Sequence, residues 1–179
     1  MPARPSKPTL REAQDCFIAS WGKMGSAWGI SRTMAEVHAL LYVTGQALCT
    51  DDVMERLQIS RGNASMSLRA LLDWGVVTRT HKRGDRKEYY VAEQEIWTMA
   101  RAILRERLKR EIEPLTASLY EIRDMIPDAS GTAAEGHNAR LDRLLLLVET
   151  LQHLMQKFVG PEGEGLQAAA SLLRNNGDK

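Results

Sequence analysis

Two cysteines are all the thiol this chain has, and Cys16 and Cys49 stand far apart with no CxxC spacing. That excludes a disulfide framework and a zinc ribbon at their usual spacings. The bland reading of each is a small buried hydrophobe in a reducing compartment, with a redox-active thiol as the alternative. No apolar run approaches the roughly 18 residues that a membrane-spanning helix needs. The opening MPARPSKPTL lacks the apolar stretch of a secretory signal, and its prolines and basic residues suit a flexible arm over residues 1–8. A cytoplasmic protein is expected.

Catalytic signatures are also missing. There is no GxGxxG, P-loop, HExxH or GxSxG, and the four histidines (His38, His81, His137, His153) are scattered. A catalytic site needs a recognisable nucleophile–base or metal set. No enzyme, cofactor or metal site is therefore expected.

Net charge is only +1, but it is unevenly placed. Between Ser60 and Val91 seven basic residues (Arg61, Arg69, Arg79, Lys82, Arg83, Arg86, Lys87) face three acids (Asp73, Asp85, Glu88). A basic island on a slightly acidic remainder is what local phosphate binding needs, although any such run could be a solvated face.

Helical signals surround the island. Leu10, Ala13, Phe17, Trp21, Met24 and Trp28 recur at helical spacing, with Thr9 and Glu12 as a capping pair and Gly29 as the stop. Ser31 caps a second helix that runs to about Gly45. Thr50 is the next expected cap, for a helix Asp51–Leu57 whose first-turn carboxylates favour the positive end of the helix dipole. The link Gln58-Ile59-Ser60 leads into a helix Arg61–Trp74, and so short a connection has helix-turn-helix spacing. Gly75 stops that helix. Val76–Thr80 and Lys87–Val91 then alternate as two strands about the turn Arg83–Arg86, forming a wing in which one of Tyr89 and Tyr90 should be core.

At about 100° per residue, Ala64, Leu68 and Leu71, flanked by Leu72, form the buried stripe of the second helix. Gly62, Asn63, Met66, Arg69 and Ala70 face outward. That small, mostly polar face can enter a major groove about 12 Å wide. The candidate DNA-contacting set is Ser60, Arg61, Gly62, Asn63, Ser65, Met66 and Arg69 on the helix, with Lys82, Arg83, Arg86 and Lys87 on the wing. Asn63 has an amide that can pair with adenine, and Arg69 can fork onto guanine or grip phosphate. Equally, Asn63 suits a helix's first turn and Arg69 could pair with Asp73 at i, i+4. Asp85 should brace a neighbouring arginine.

Beyond Glu93 the pattern becomes long helices. A seam at Leu108, Ile112, Leu115, Leu119, Ile122 and Ile126 steps by heptad intervals, with Pro114 expected to kink it. A loop over Asp128–Gly136 leads to a second seam at Leu141, Leu144, Val148, Leu151, Met155 and Phe158. An intramolecular antiparallel hairpin and a dimer seam are both open readings of this pair. A short terminal helix is expected around Leu166–Leu173. The organisation is then an arm (1–8), a winged helix-turn-helix domain with an N-terminal helix (9–93), a helical dimerisation region (94–160), and a short terminal helix and tail (161–179). The fold class is mainly α, with a two-stranded wing.

The run ISRGNASMSLRALLDWGVV, followed by GDRKEYY and EIW, resembles the GbsR family of transcriptional regulators, relatives of the MarR winged-helix proteins. The likeness covers roughly Leu10 to Pro127 and is strongest from Ile59 to Trp97. It implies a bacterial homodimeric repressor that binds palindromic operator DNA, and some members of the family sense choline or glycine betaine. Quaternary ammonium recognition uses aromatic cages. With aromatics at only 6%, Trp21, Tyr42 and Trp97 are the candidate lining, against the competing reading that they are ordinary packing anchors. The alternative function is a winged-helix protein–protein adaptor that never touches DNA.

Overall fold

The computed structural model describes residues 8–126 and 131–159, together with Gly165 and Ser171. The arm expected over residues 1–8, apart from Pro8, and most of the terminal helix expected over Leu166–Leu173 lie outside the described residues. The chain divides into two compact units, Met1–Met99 and Ala100–Lys179.

In the first unit, helix α1 (Leu10–Ala27) starts at Thr9, whose hydroxyl accepts from the Glu12 amide while the Glu12 carboxylate accepts from the Thr9 amide. This reciprocal cap satisfies two of the orphan donors at the helix start. Helix α2 (Arg32–Thr44) is capped by Ser31 and closed by Gly45 at φ 61°. It is the hub of the unit, packing on α1 and on the later helices and wing. Val37, Ala39, Leu40 and Leu41 are all at most 1% exposed.

The α1–α2 crossing is close because of two small positions. A Cβ on Gly22 would come within 2.6 Å of Glu36 Cγ, and one on Gly25 within 2.5 Å of Ala35 Cβ. The helices approach where only hydrogen is tolerated.

A two-residue strand β1 (Leu48–Cys49) follows, which the sequence pattern does not announce. Helix α3 begins at Thr50 and ends at Leu57, so the expected cap moves back by one residue. Cys49 is the cap, and its amide donates to Asp52 Oδ2 at 2.8 Å. Thr50 enters the helix because Cys49 is held in β1 by pairing with Tyr89.

Helix α4 (Arg61–Asp73) then leads to β2 (Val77–His81) and β3 (Glu88–Ala92), each shifted one residue from expectation. The sheet is antiparallel in the order β1-β3-β2, with Arg79 opposite Tyr90 and Leu48 on its other side. The wing hairpin therefore gains a third strand. Tyr89 and Tyr90 are both 7% exposed, where one core tyrosine was expected. They point to opposite faces, but Lys82 covers Tyr89, its ammonium 4.0 Å from the ring centroid.

Helix α5 (Ile96–Arg107) carries the chain into the second unit. There Leu108–Ile112 forms a π-helical segment, and α6 (Glu113–Asp124) follows with Pro114 in its first turn. The expected proline break takes this form: the missing N–H falls where the hydrogen-bond ladder changes register. Helix α7 (Thr132–Val159) starts earlier than expected, so residues 132–136 are helical rather than loop, with the Glu135 amide bonded to the Gly131 carbonyl at 3.0 Å. Residues 127–130 of that loop lie outside the described residues.

Leu119, Leu145 and Val148 form the α6–α7 core with Ile112 and Leu141 against them. Leu145 was not in either seam. Leu115, Ile122 and Ile126 of the first seam, and Leu144 and Leu151 of the second, are exposed by 42–48%. A single antiparallel partner covers only part of each apolar surface.

Gly25→Ala should destabilise the protein by about 1–3 kcal/mol through overpacking at the α1–α2 crossing. Helix propensity alone would favour alanine by about 1 kcal/mol. Urea unfolding followed by circular dichroism decides between them; an unchanged or raised midpoint would mean that the crossing can relax.

Candidate nucleic-acid interface

The turn between α3 and α4 is held by a residue in an unusual conformation. Gln58 adopts φ 54°, the left-handed region, where a side chain costs about 1–2 kcal/mol. Its side-chain amide donates to the Glu55 carbonyl at 2.6 Å, and the Ile59 amide bonds the Met54 carbonyl at 3.3 Å. Ser60 then caps α4, its hydroxyl accepting from the Asn63 amide at 3.3 Å. The chain is turned and restarted within three residues.

One stripe of α4 is buried: Ala64, Ser67, Leu68 and Leu71. Ser67 is an addition to the expected stripe. Arg61, Gly62, Asn63, Ser65, Met66 and Arg69 are exposed, Met66 by 65%, while Ala70 is half-buried. No ion pair ties Arg69 to Asp73 among the described residues.

The wing turn is built around Asp85. Gly84 sits at φ 85°, which a side chain would strain. Asp85 accepts from the Lys87 amide at 2.9 Å and from the Tyr89 hydroxyl at 2.7 Å. It braces the turn backbone, the Arg86 amide included, and a tyrosine, while no arginine side chain pairs with it among the described residues. These hydrogen bonds, the tyrosine's first, hold Asp85 below the usual carboxylate range. The same contact pushes the Tyr89 phenol up to about 12. Lys82, Arg83, Arg86 and Lys87 all remain exposed around the turn.

A contact hidden in the sequence joins the two basic groups. Asp51, in the first turn of α3, accepts from Arg61 Nη2 at 2.5 Å and from Lys87 Nζ at 3.1 Å, one on each oxygen. The Lys87 ammonium and then the Arg61 guanidinium hold its carboxyl below the ordinary range, and Lys87 is raised in return. The partners lie 10 and 36 residues away, so no local pattern could reveal the bridge; Asp51 reads only as a helix-dipole residue.

The aromatic candidates are divided. Trp21 on α1 and Tyr42 on α2 flank His38 at 6.0 and 6.2 Å, and Phe17 joins them, stacked on Trp21 at 5.6 Å. Trp97, at the start of α5, is half-buried and makes no ring contact with this cluster among the described residues. His38 is the residue that sequence reasoning passed over. It is 3% exposed, no described residue hydrogen-bonds its Nε2, and burial pushes its pKa down to about 4.

In the second unit a separate cavity of about 480 Å³ opens beside the π-helical segment. Buried Leu108 and Val159 line it together with the charged and amide side chains of Arg105, Glu106, Lys109, Glu113, Gln152 and Gln156. Arg105 is fixed there by donating to the Val159 carbonyl at 3.2 Å. Among the described residues, no three His, Cys, Asp or Glu side chains are grouped to hold a metal, and no helix is long and apolar enough to cross a membrane.

Comparison with known proteins bears on the fold that carries these residues. Over 121 residues the chain is 26% identical to the HTH-type transcriptional repressor GbsR of Bacillus subtilis, covering 68% of this chain and 67% of that protein. The chain is similar to the GbsR-type regulators. It is also 24% identical over 88 residues to the putative HTH-type transcriptional regulator YvaV of the same organism, a match spanning 49% of this chain and 50% of YvaV. A crystal structure described as that of a transcriptional regulator superposes with a TM-score of 0.64 at 17% identity, covering 85% of this chain and 99% of the other. No protein-family model matches the chain. The fold is thus that of a winged-helix regulator, and the GbsR likeness carried by Ile59–Trp97 holds beyond that stretch.

Stability should fall as pH drops from 6.5 toward 4. Above 6.5 His38 is neutral in both the folded and unfolded chain; within the window only the unfolded chain takes up the proton. The slope approaches about 1.4 kcal/mol per pH unit. His38→Phe, which cannot titrate, should flatten the curve of denaturation midpoint against pH between 6.5 and about 4, and an equally steep variant would refute the assignment.

Proposed function

We propose that the chain is a sequence-specific DNA-binding transcriptional regulator that acts as a homodimer, lays α4 in the major groove and rests its wing on the adjacent minor groove or its phosphates. The carrying observation is the joint exposure, on one winged helix-turn-helix, of a small polar helix face and a four-cation wing. The likeness to GbsR, named a transcriptional repressor, supports repression as the regulatory sense.

A dimer on a palindromic operator must space two recognition helices by about 34–36 Å. What supports self-association is apolar surface left over on α7. Leu144, Leu147, Leu151 and Leu154 recur at steps of three and four and are exposed by 42–55%. Contiguous exposed leucine of this kind marks an interaction face. Pairing two such faces buries them across a two-fold axis. The proposed effector is a small molecule such as choline or glycine betaine, with Trp21, Tyr42 and Trp97 retained as its candidate lining.

Binding to random duplex DNA across a salt series tests the reading. Log affinity should fall linearly with log salt, and Arg83→Ala or Arg86→Ala should each reduce the slope by about 0.9 for every phosphate left without its cation. Asn63→Ala should cost roughly 1–3 kcal/mol at a preferred site and relax base preference there. Choline or glycine betaine should shift that affinity, and an affinity indifferent to both would dismiss the proposed effector. An unchanged slope after both arginines are removed would favour the adaptor instead.

Leu147→Glu combined with Leu151→Glu should convert the protein to a monomer in analytical ultracentrifugation and weaken operator binding. A dimer that survives both changes would place the interface elsewhere.

A further inference from the structure

The Asp51 bridge is odd for a DNA-binding surface. It commits a carboxylate to two of the cations that phosphate would be expected to occupy. Arg61 is the first residue of α4, and Lys87 lies where the wing turns back into β3. Asp51 reaches both, from a third element, at 2.5 and 3.1 Å. The three groups are about half exposed or more, so solvent and salt screen the pairs and they add little to folding. Their effect lies in charge and geometry. Two cations and one anion present a net single positive charge where the basic island between Ser60 and Val91, taken without Asp51, counts two.

Geometry also leaves each cation partly uncommitted. Arg61 faces Asp51 through Nη2, and its remaining guanidinium nitrogens make no described contact. Lys87 gives one of its three ammonium hydrogens to Oδ2. A phosphate can therefore join the cluster without displacing Asp51, provided it arrives at the spacing the bridge fixes. A phosphate elsewhere meets an extra negative charge and side chains that are already held.

We infer that Asp51 is a positioning and specificity-determining residue of the interface: it fixes Arg61 and Lys87 relative to each other and withholds one unit of positive charge from non-cognate DNA. This rests on the reading that the α4–wing surface binds duplex DNA. Asp51 acts through the two cations and touches no nucleic acid itself.

The test compares wild type with Asp51→Asn, Asp51→Glu and Glu55→Gln. Glu55 is exposed on the same helix, makes no ion pair among the described residues, and its replacement removes the same formal charge. Each protein is titrated by fluorescence anisotropy against a random-sequence duplex and against a duplex that wild type itself selects from a random pool, over a salt series.

Asp51→Asn should tighten random-duplex binding roughly two- to five-fold, the range expected for one exposed charge contact. It should steepen the salt slope by up to about 0.9. The ratio of selected to random affinity should fall, Asp51→Glu should restore it, and Glu55→Gln should leave slope and ratio near wild type. Unchanged or weaker random-duplex binding by a folded Asp51→Asn protein overturns the inference, as does an equal response from Glu55→Gln. A wild type that retains no duplex from the pool and does not bind the random-sequence duplex in dilute salt overturns the DNA reading itself, and this inference with it; wild-type binding with an indifferent Asp51→Asn overturns the inference alone.

Discussion

Burial of one stripe of α4 against the hub helix α2 fixes which side of α4 is left for solvent, and the rest of the interface follows from it. Ala64, Leu68 and Leu71 are each at most 2% exposed. Fully burying one leucine contributes about 1.5–3 kcal/mol, so rotating α4 to present another face would forfeit several such terms. The Gln58 turn makes the same choice from the other end. Its left-handed backbone is held between the Met54–Ile59 bond, the bond of its own side chain to the Glu55 carbonyl and the Ser60 cap.

On that fixed scaffold the charges are arranged rather than merely accumulated. Asp85 shapes the wing turn and accepts the Tyr89 hydroxyl's hydrogen bond, while Lys82 lies over the same ring. Asp51 ties the start of α4 to the return of the wing. Arg83, Arg86 and Arg69 are exposed without a described ion pair. The surface thus holds restrained cations beside free ones, a mixture that composition cannot reveal. Screening weakens every pair at physiological salt, so they act mainly by orienting side chains.

The second unit is organised differently. Its α6–α7 pair has more apolar surface than one antiparallel partner can cover. Leu119, Leu145 and Val148 are enclosed within the pair, while a leucine stripe on α7 stays outside. Polar ties lock the pair in register: Arg123 to Asp142 at 2.5 Å, Thr116 to Gln152, and Tyr120 to Glu149. The π-helical segment before Pro114 widens the helix where the cavity opens.

Local chemistry was enough to read the first four helices, the caps at Thr9, Ser31 and Ser60, most of the α4 stripe and the wing, because each depends on residues a few positions apart. The likeness to GbsR-type regulators was legible for the same reason, since its residues are nearly contiguous. Cys49 as a cap, the third strand beside the wing, and the burial of both Tyr89 and Tyr90 all arise from one long-range pairing of β1 with β3. Heptad spacing likewise marks apolar positions without saying which neighbour covers them, so Leu145 became core while Leu144 and Leu151 did not. Asp51 is the sharpest case. Its carboxylate was visible from the start, but only folding across 10 and 36 residues brings it to Arg61 and Lys87.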